Sequence, residues 1–157
     1  MTGRVIAVFS TKGGVGKTLI ATNVAVGLRL TQDCKTAFLP LDASADDAGT
    51  LLGASGVQRV TEPVTSQTLP GILDALRKTN RYMLIDAGSV FSELTVTAFE
   101  HANLLLLVTT PDVITLKHTA RAIEQLTSLQ LPLRMVKVVL NRAESHGNVR
   151  SREIREQ

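Results

Sequence analysis

Short apolar runs recur along this chain, each bounded by turn residues and separated from the next by a longer stretch of mixed polarity. Val5-Ile6-Ala7-Val8-Phe9 is the first, and Leu104-Leu105-Leu106-Leu107-Val108 is the most uniform. A continuous apolar run, unlike an alternating one, reads as a strand covered on both faces, as in parallel sheets. The same reading places strands at Thr36–Leu41, at Tyr82–Ile85 closed by Asp86, and at Met135–Leu140. The polar, turn-rich stretch from Ala54 to Gln67 has space for an edge strand around Val57–Val64, where Pro63 suits an edge better than a centre. Between the strands, Leu19–Leu30, Leu69–Lys78 and Val113–Leu129 read as helices, and Asp46–Leu52 as a short helix stopped by Gly53. Strand and helix alternate, which predicts a three-layer α/β/α domain around a mostly parallel sheet.

The chain has 157 residues, enough to bury one sizeable core and hardly two. One domain over 1–157 is expected, with 144–157 as a charged tail or a truncated helix. Hydrophobic residues make up 44% of the chain and aromatics only 3%, which suits a sheet filled by Val, Ile, Leu and Ala. Cys34 is the only cysteine, so an intrachain disulfide is excluded and a reducing, cytoplasmic setting is natural. No opening apolar stretch is long enough to span a bilayer, and the amino terminus lacks a signal-peptide pattern. The formal net charge is +3. Much of the excess lies late, at Lys117, Arg121, Arg134, Lys137, Arg142, Arg150, Arg152 and Arg155, but Glu124, Glu144, Glu153 and Glu156 are interleaved with it. That pattern reads as a solvated helical face before it reads as a nucleic-acid surface.

The segment with the most chemical content follows the first strand: Ser10-Thr11-Lys12-Gly13-Gly14-Val15-Gly16-Lys17-Thr18. A buried strand running into a glycine-rich turn and then a helix is the setting of a phosphate-binding loop. Glycines let backbone N–H groups converge on an anion, Lys17 supplies a point charge for the β- and γ-phosphates, and Thr18 offers a hydroxyl to Mg2+. Gly13, Gly14, Val15, Gly16, Lys17, Thr18 and Leu19 then form the phosphate cradle.

The loop departs from the common G-x-x-x-x-G-K-[ST] pattern, with Thr11 at the first glycine position and an additional cation at Lys12. Lys12-Gly13-Gly14-Val15-Gly16-Lys17-Thr18 resembles the deviant Walker A motif of the MinD/ParA class of P-loop ATPases. The resemblance implies a P-loop NTPase fold, ATP with Mg2+, and a nucleotide-sandwich homodimer in which Lys12 reaches the partner's phosphates. It implies catalytic roles for Lys12, Lys17 and Asp42, the last orienting the attacking water. Asp86 resembles a Walker B aspartate that holds a water of the Mg2+ shell; Thr18, Asp42 and Asp86 are the implied metal set. Asp46 matches a second switch aspartate of one branch. Leu140-Asn141-Arg142 resembles the segment in which an asparagine meets the adenine edge, and a guanine-reading pattern is absent there, so ATP is expected over GTP.

Pro40 stands where many members have a first switch aspartate, and Asp86-Ala87-Gly88-Ser89-Val90 replaces the usual Asp-x-Pro-x-Gly. Both departures imply slow hydrolysis. Asp86-Ala87-Gly88-Ser89, Glu93-Leu94-Thr95, Leu107-Val108-Thr109-Thr110-Pro111-Asp112 and Leu140-Asn141-Arg142 together are similar to the CpaE/TadZ branch, which positions pilus and secretion machinery. That resemblance implies a spatial switch recruited to a cell pole or membrane-associated machinery, with partners reading Ser89–Phe99 and Val113–Leu129. The domain is short at its carboxyl end compared with such relatives. Two other readings stay open: an ATP-binding scaffold with little hydrolysis, and a DNA-partitioning ATPase.

Overall fold

A computed structural model describes residues 3–41 and 47–144. Strands β1 (Arg4–Phe9), β2 (Thr36–Pro40), β3 (Gln58–Arg59), β4 (Tyr82–Asp86), β5 (Leu104–Thr109) and β6 (Val136–Leu140) form one sheet. Helices α1 (Lys17–Thr31), α2 (Asp47–Leu52), α3 (Leu69–Arg77), α4 (Glu93–Glu100) and α5 (Val113–Ser128) connect them. The strand order is β3-β2-β4-β1-β5-β6 and every pairing is parallel, so all carboxyl ends open onto one edge of the sheet. β1 occupies the interior between β4 and β5, and the chain order reverses direction across the sheet there. Open parallel sheets bind ligands outside the carboxyl ends of their strands at such a reversal.

The continuous apolar runs are explained by burial on both faces. On one side of the sheet, Val5, Ala7, Phe9, Leu105 and Leu107 pack with Leu69 and Leu73 of α3, Phe99 of α4, and Ala122 and Leu126 of α5. On the other side, Ile6, Val8, Phe38, Leu84 and Val108 pack with Ala21 and Ala25 of α1 and with Ala48 and Leu52 of α2. Phe9, Phe91 and Phe99 meet edge to face, with ring centroids 4.8 to 6.0 Å apart, and tie the end of β1 to the segment after β4. β6 is one of the two outer strands and is only partly covered, with Lys137 and Val138 exposed.

Several boundaries differ from those read in the sequence. α1 begins at Lys17, two residues before Leu19, because the left-handed turn at Gly16 starts the helix inside the glycine-rich loop. The edge strand expected around Val57–Val64 contracts to Gln58–Arg59, which pairs in parallel with Ala37 and Phe38. Pro63 lies beyond it and has no N–H with which to extend the ladder. α4 was not set apart as an element by periodicity: it is short, and its start is fixed by Ser92, whose hydroxyl accepts from the Thr95 N–H.

Candidate functional site

At the end of β1 the chain turns through Ser10–Gly16 with Gly14 at φ 72° and Gly16 at φ 98°, conformations that favour glycine. Added β-carbons at Gly13 and Gly14 would meet nothing within 4 Å, so the loop's glycines leave an open cradle rather than a packed turn. Gly16 is constrained twice, because a β-carbon there would lie 2.5 Å from Asn141 Nδ2. The first helical hydrogen bond of α1 is donated by Ile20 to the Gly16 carbonyl. The N–H groups of Thr18 and Leu19 therefore point out of the helix's amino-terminal end, toward the loop. No acidic side chain occupies that first turn. Converging N–H groups, the positive end of the helix dipole and an open glycine cradle fit a phosphate chain.

Side chains from three segments close around this cradle. Lys17 Nζ donates to the Lys12 carbonyl at 3.1 Å, so its ammonium lies back across the loop. Thr18 Oγ1 donates to Asp86 Oδ2 at 2.5 Å, linking the start of α1 to the carboxylate at the end of β4. Asp86 is buried and sits level with Val8 of β1 and Pro40 of β2. From the far side, Asn141 Nδ2 donates to the Val15 carbonyl at 2.8 Å and Arg142 donates to the Gly14 carbonyl at 3.1 Å. A hydroxyl beside a buried carboxylate, next to a phosphate cradle, is a donor set suited to Mg2+, which takes few protein ligands and keeps several waters. Lys12, Gly13–Leu19, Asp86, Asn141 and Arg142 are thus brought together. Asp42 and Asp46 lie outside the described residues, although Leu41, next to them, donates its N–H to the Asp86 carbonyl at 2.9 Å. Beyond Leu41 a cleft of about 210 Å3 opens along Ala87–Val90, Ser92 and Thr95.

Lys12 has partners within its own chain. Its ammonium is 3.2 Å from Asp112 Oδ1 and donates to Thr115 Oγ1 at 2.9 Å. Asp112 also caps α5, accepting from the Thr115 N–H, and takes hydrogen bonds from the hydroxyls of Thr110 and Thr115. The Thr110 hydroxyl first, then the Thr115 hydroxyl and N–H and the Lys12 ammonium, hold the Asp112 carboxyl well below the usual carboxylate range. Asp112 and Thr115 were not singled out as site residues in the sequence. The available signal was the cap itself, an aspartate opening a helix three residues before a threonine.

A carboxyl held low in the folded protein contributes stability above its unfolded value and loses it only as pH falls through the depressed one. The Lys12–Asp112 contact is therefore expected to be unchanged between about pH 5 and about pH 8. The Asp112 carboxyl carbon shift, followed by NMR, should stay flat from about pH 8 down to about pH 3, through the range where an ordinary aspartate titrates; a transition of Asp112 within that range would mean that the cap does not hold its carboxyl low.

The family description "CobQ/CobB/MinD/ParA nucleotide binding domain" matches residues 6–157. A curated relative, "Maintenance of carboxysome distribution protein A" from Gloeobacter kilaueensis, is 33% identical over 82 residues, covering 52% of this chain and 36% of that protein. The match thus spans little more than a third of that relative's length. Among solved structures, the ParA family ATPase from Chlorobium tepidum superimposes with a TM-score of 0.81 at 20% identity, covering 99% of this chain and 79% of that one. The septum site-determining protein MinD complexed with Mg-ADP, from Pyrococcus horikoshii, gives 0.67 at 20% identity, covering 92% and 72%. These likenesses establish the fold: a P-loop NTPase sheet with helices on both faces.

Proposed function

We propose, because the chain belongs to the CobQ/CobB/MinD/ParA family of nucleotide-binding domains, that it is a MinD/ParA-type ATPase with a deviant Walker A loop. In this reading it binds ATP with Mg2+, closes face to face with a second copy while ATP is bound, and hydrolyses it slowly. The single observation that carries the reading is the arrangement at the loop. The cradle of Gly13, Gly14 and Gly16, Lys17, and the Thr18–Asp86 pair stand together, while Lys12 stands at the rim on a half-exposed ion pair.

The residues divide the work as follows. Backbone N–H groups of Gly13–Leu19 and the Lys17 ammonium bind and orient the phosphates, the electrostatic positioning that dominates phosphoryl transfer. Thr18 would hold Mg2+ and Asp86 a water of its shell; bound there, the ion would supply positive charge to offset that of the phosphates. Asp42 orients the attacking water. Asn141 and Arg142 brace the loop from β6 and set the base edge, favouring adenine. Lys12 leaves Asp112 to reach the partner's phosphates, which makes hydrolysis depend on dimerisation. Pro40, and Gly88 only two residues after Asp86, support a slow rate.

The surface around Lys12 supports a face-to-face partner. In strand order, Val90 follows β4, Lys12 follows β1, and Val113 and Ile114 follow β5. Val90 is 71% and Ile114 63% exposed, so large apolar side chains flank the Lys12–Asp112 pair on the pole that a second copy would cover. The carboxysome-distribution relative supports a positioning role. The likeness of Asp86–Ser89 and Leu107–Asp112 to CpaE/TadZ proteins favours pilus or secretion machinery as the cargo, with recruitment from the cytoplasm to that machinery.

Sedimentation with ADP, with ATP, and with ATP and Lys12→Ala tests the reading. Wild type should be a monomer with ADP and a dimer with ATP, and Lys12→Ala should stay monomeric. One species in all three samples would overturn the sandwich. Single-turnover hydrolysis by Asp42→Ala then separates the ATPase from an ATP-binding scaffold, since a rate equal to wild type removes Asp42 from catalysis.

A further inference from the structure

We propose that the amino-terminal pole of the sheet, on the side away from the phosphate loop, is a docking surface for an acidic, partly apolar peptide segment of another protein. This goes beyond the nucleotide reading and does not depend on it. The Arg81 N–H donates to the Lys35 carbonyl at 2.8 Å, and the Arg4 N–H donates to the Arg81 carbonyl at 2.9 Å. Lys35, Arg81 and Arg4 therefore stand side by side at the starts of β2, β4 and β1, a row about 10 Å wide at ordinary strand spacing. All three are exposed, as is Lys78 just beyond α3. The end of α3 lies against the same corner, since a β-carbon on Gly3 would come within 3.3 Å of the Arg77 Cα.

Two carboxylates near this row are engaged by other cations. Asp33 is engaged by Arg29 and Asp74 by Arg77, each at 3.1 Å. Among the described residues no carboxylate is ion-paired with Arg4, Lys35, Lys78 or Arg81. Arg81 is further steadied by the Tyr82 ring, 5.8 Å from its guanidinium carbon. Leu30, in the last turn of α1 ahead of β2, is 68% exposed.

Charge and dimension select the occupant. A row about 10 Å wide spans about three residues of an extended chain. It is small beside a DNA-binding module, which buries roughly 600 Å2 or more. Leu30 offers an apolar contact that a phosphate backbone cannot use, and one leucine is far from the broad apolar face that holds a protein in a bilayer.

Fluorescence anisotropy with a labelled peptide of glutamate and leucine, using the full chain, tests the site. Wild type should bind with an affinity that falls as salt rises. Each exposed ion pair contributes up to about fivefold, so the combined Arg4→Glu, Lys35→Glu, Arg81→Glu variant should lose about tenfold or more, and Leu30→Ser a few-fold. The melting temperature should be retained in both, because these side chains are exposed. Three results would each overturn the proposal: no binding of the probe, equal binding by the charge-reversed variant, or tighter binding of short duplex DNA or anionic vesicles through the same residues.

Discussion

Lys17→Ala is expected to lower ATP affinity by on the order of a hundredfold, since a charge-assisted hydrogen bond contributes roughly 1.5–3 kcal/mol and Lys17 can make more than one to the phosphates. Its ammonium already lies across the loop on the Lys12 carbonyl, so little reorganisation is needed to engage a ligand in the cradle. The fold should survive, because Lys17 is half-buried at a helix start and fills no core position. Lys17→Arg should not restore binding, since a planar guanidinium does not fit where a compact ammonium folds over a tight loop. Titration calorimetry with a non-hydrolysable ATP analogue, beside a thermal melt, reads both effects. Wild-type affinity in Lys17→Ala would remove this loop as the nucleotide site.

Gly16→Ala is expected to destabilise the protein by about 2–4 kcal/mol. Holding a non-glycine residue in so unusual a backbone conformation costs about 1–3 kcal/mol, and here φ is 98°. The new β-carbon would also displace Asn141 and break its hydrogen bond to Val15, a further loss of about 1 kcal/mol. Adding Asn141→Ala should recover only the clash, not the backbone penalty. Gly13→Ala makes the informative contrast. Its β-carbon meets nothing, so stability should stay within about 0.5 kcal/mol of wild type. ATP affinity should nonetheless fall, because that methyl would occupy the open cradle. Urea unfolding and analogue binding on the two variants separate loop architecture from ligand space; equal stability losses would contradict the geometry.

The strands could be read from the chain because a sheet covered on both faces demands unbroken apolar runs, and Val5–Phe9 and Leu104–Val108 supply them. The loop could be read because its chemistry is contiguous from Lys12 to Thr18. Contacts between distant segments left no local trace. The Lys12–Thr115 hydrogen bond joins residues separated by 103 positions, and the Asn141–Val15 bond joins residues separated by 126. Asp112 reads locally as a helix cap, and nothing in that role announces a lysine. α4 escaped because Glu93–Glu100 is short, and β3 was overextended because a polar edge lacks the alternation that would fix its ends.

The interior place of β1 has a consequence for how the protein is made. Arg4 pairs with Tyr82 and Ile6 with Leu104, so β1 can complete neither ladder until Tyr82–Asp86 and Leu104–Thr109, more than 70 residues later, have left the ribosome. At ordinary elongation rates that delay is on the order of ten seconds. Throughout it, Val5–Phe9 is an uncharged, β-prone segment with no Pro, the kind that nascent chains aggregate through. Fragments ending before Leu104–Thr109 should therefore precipitate rather than fold, and productive folding should wait for β5 to emerge and then proceed on the slow timescale of non-local parallel pairing.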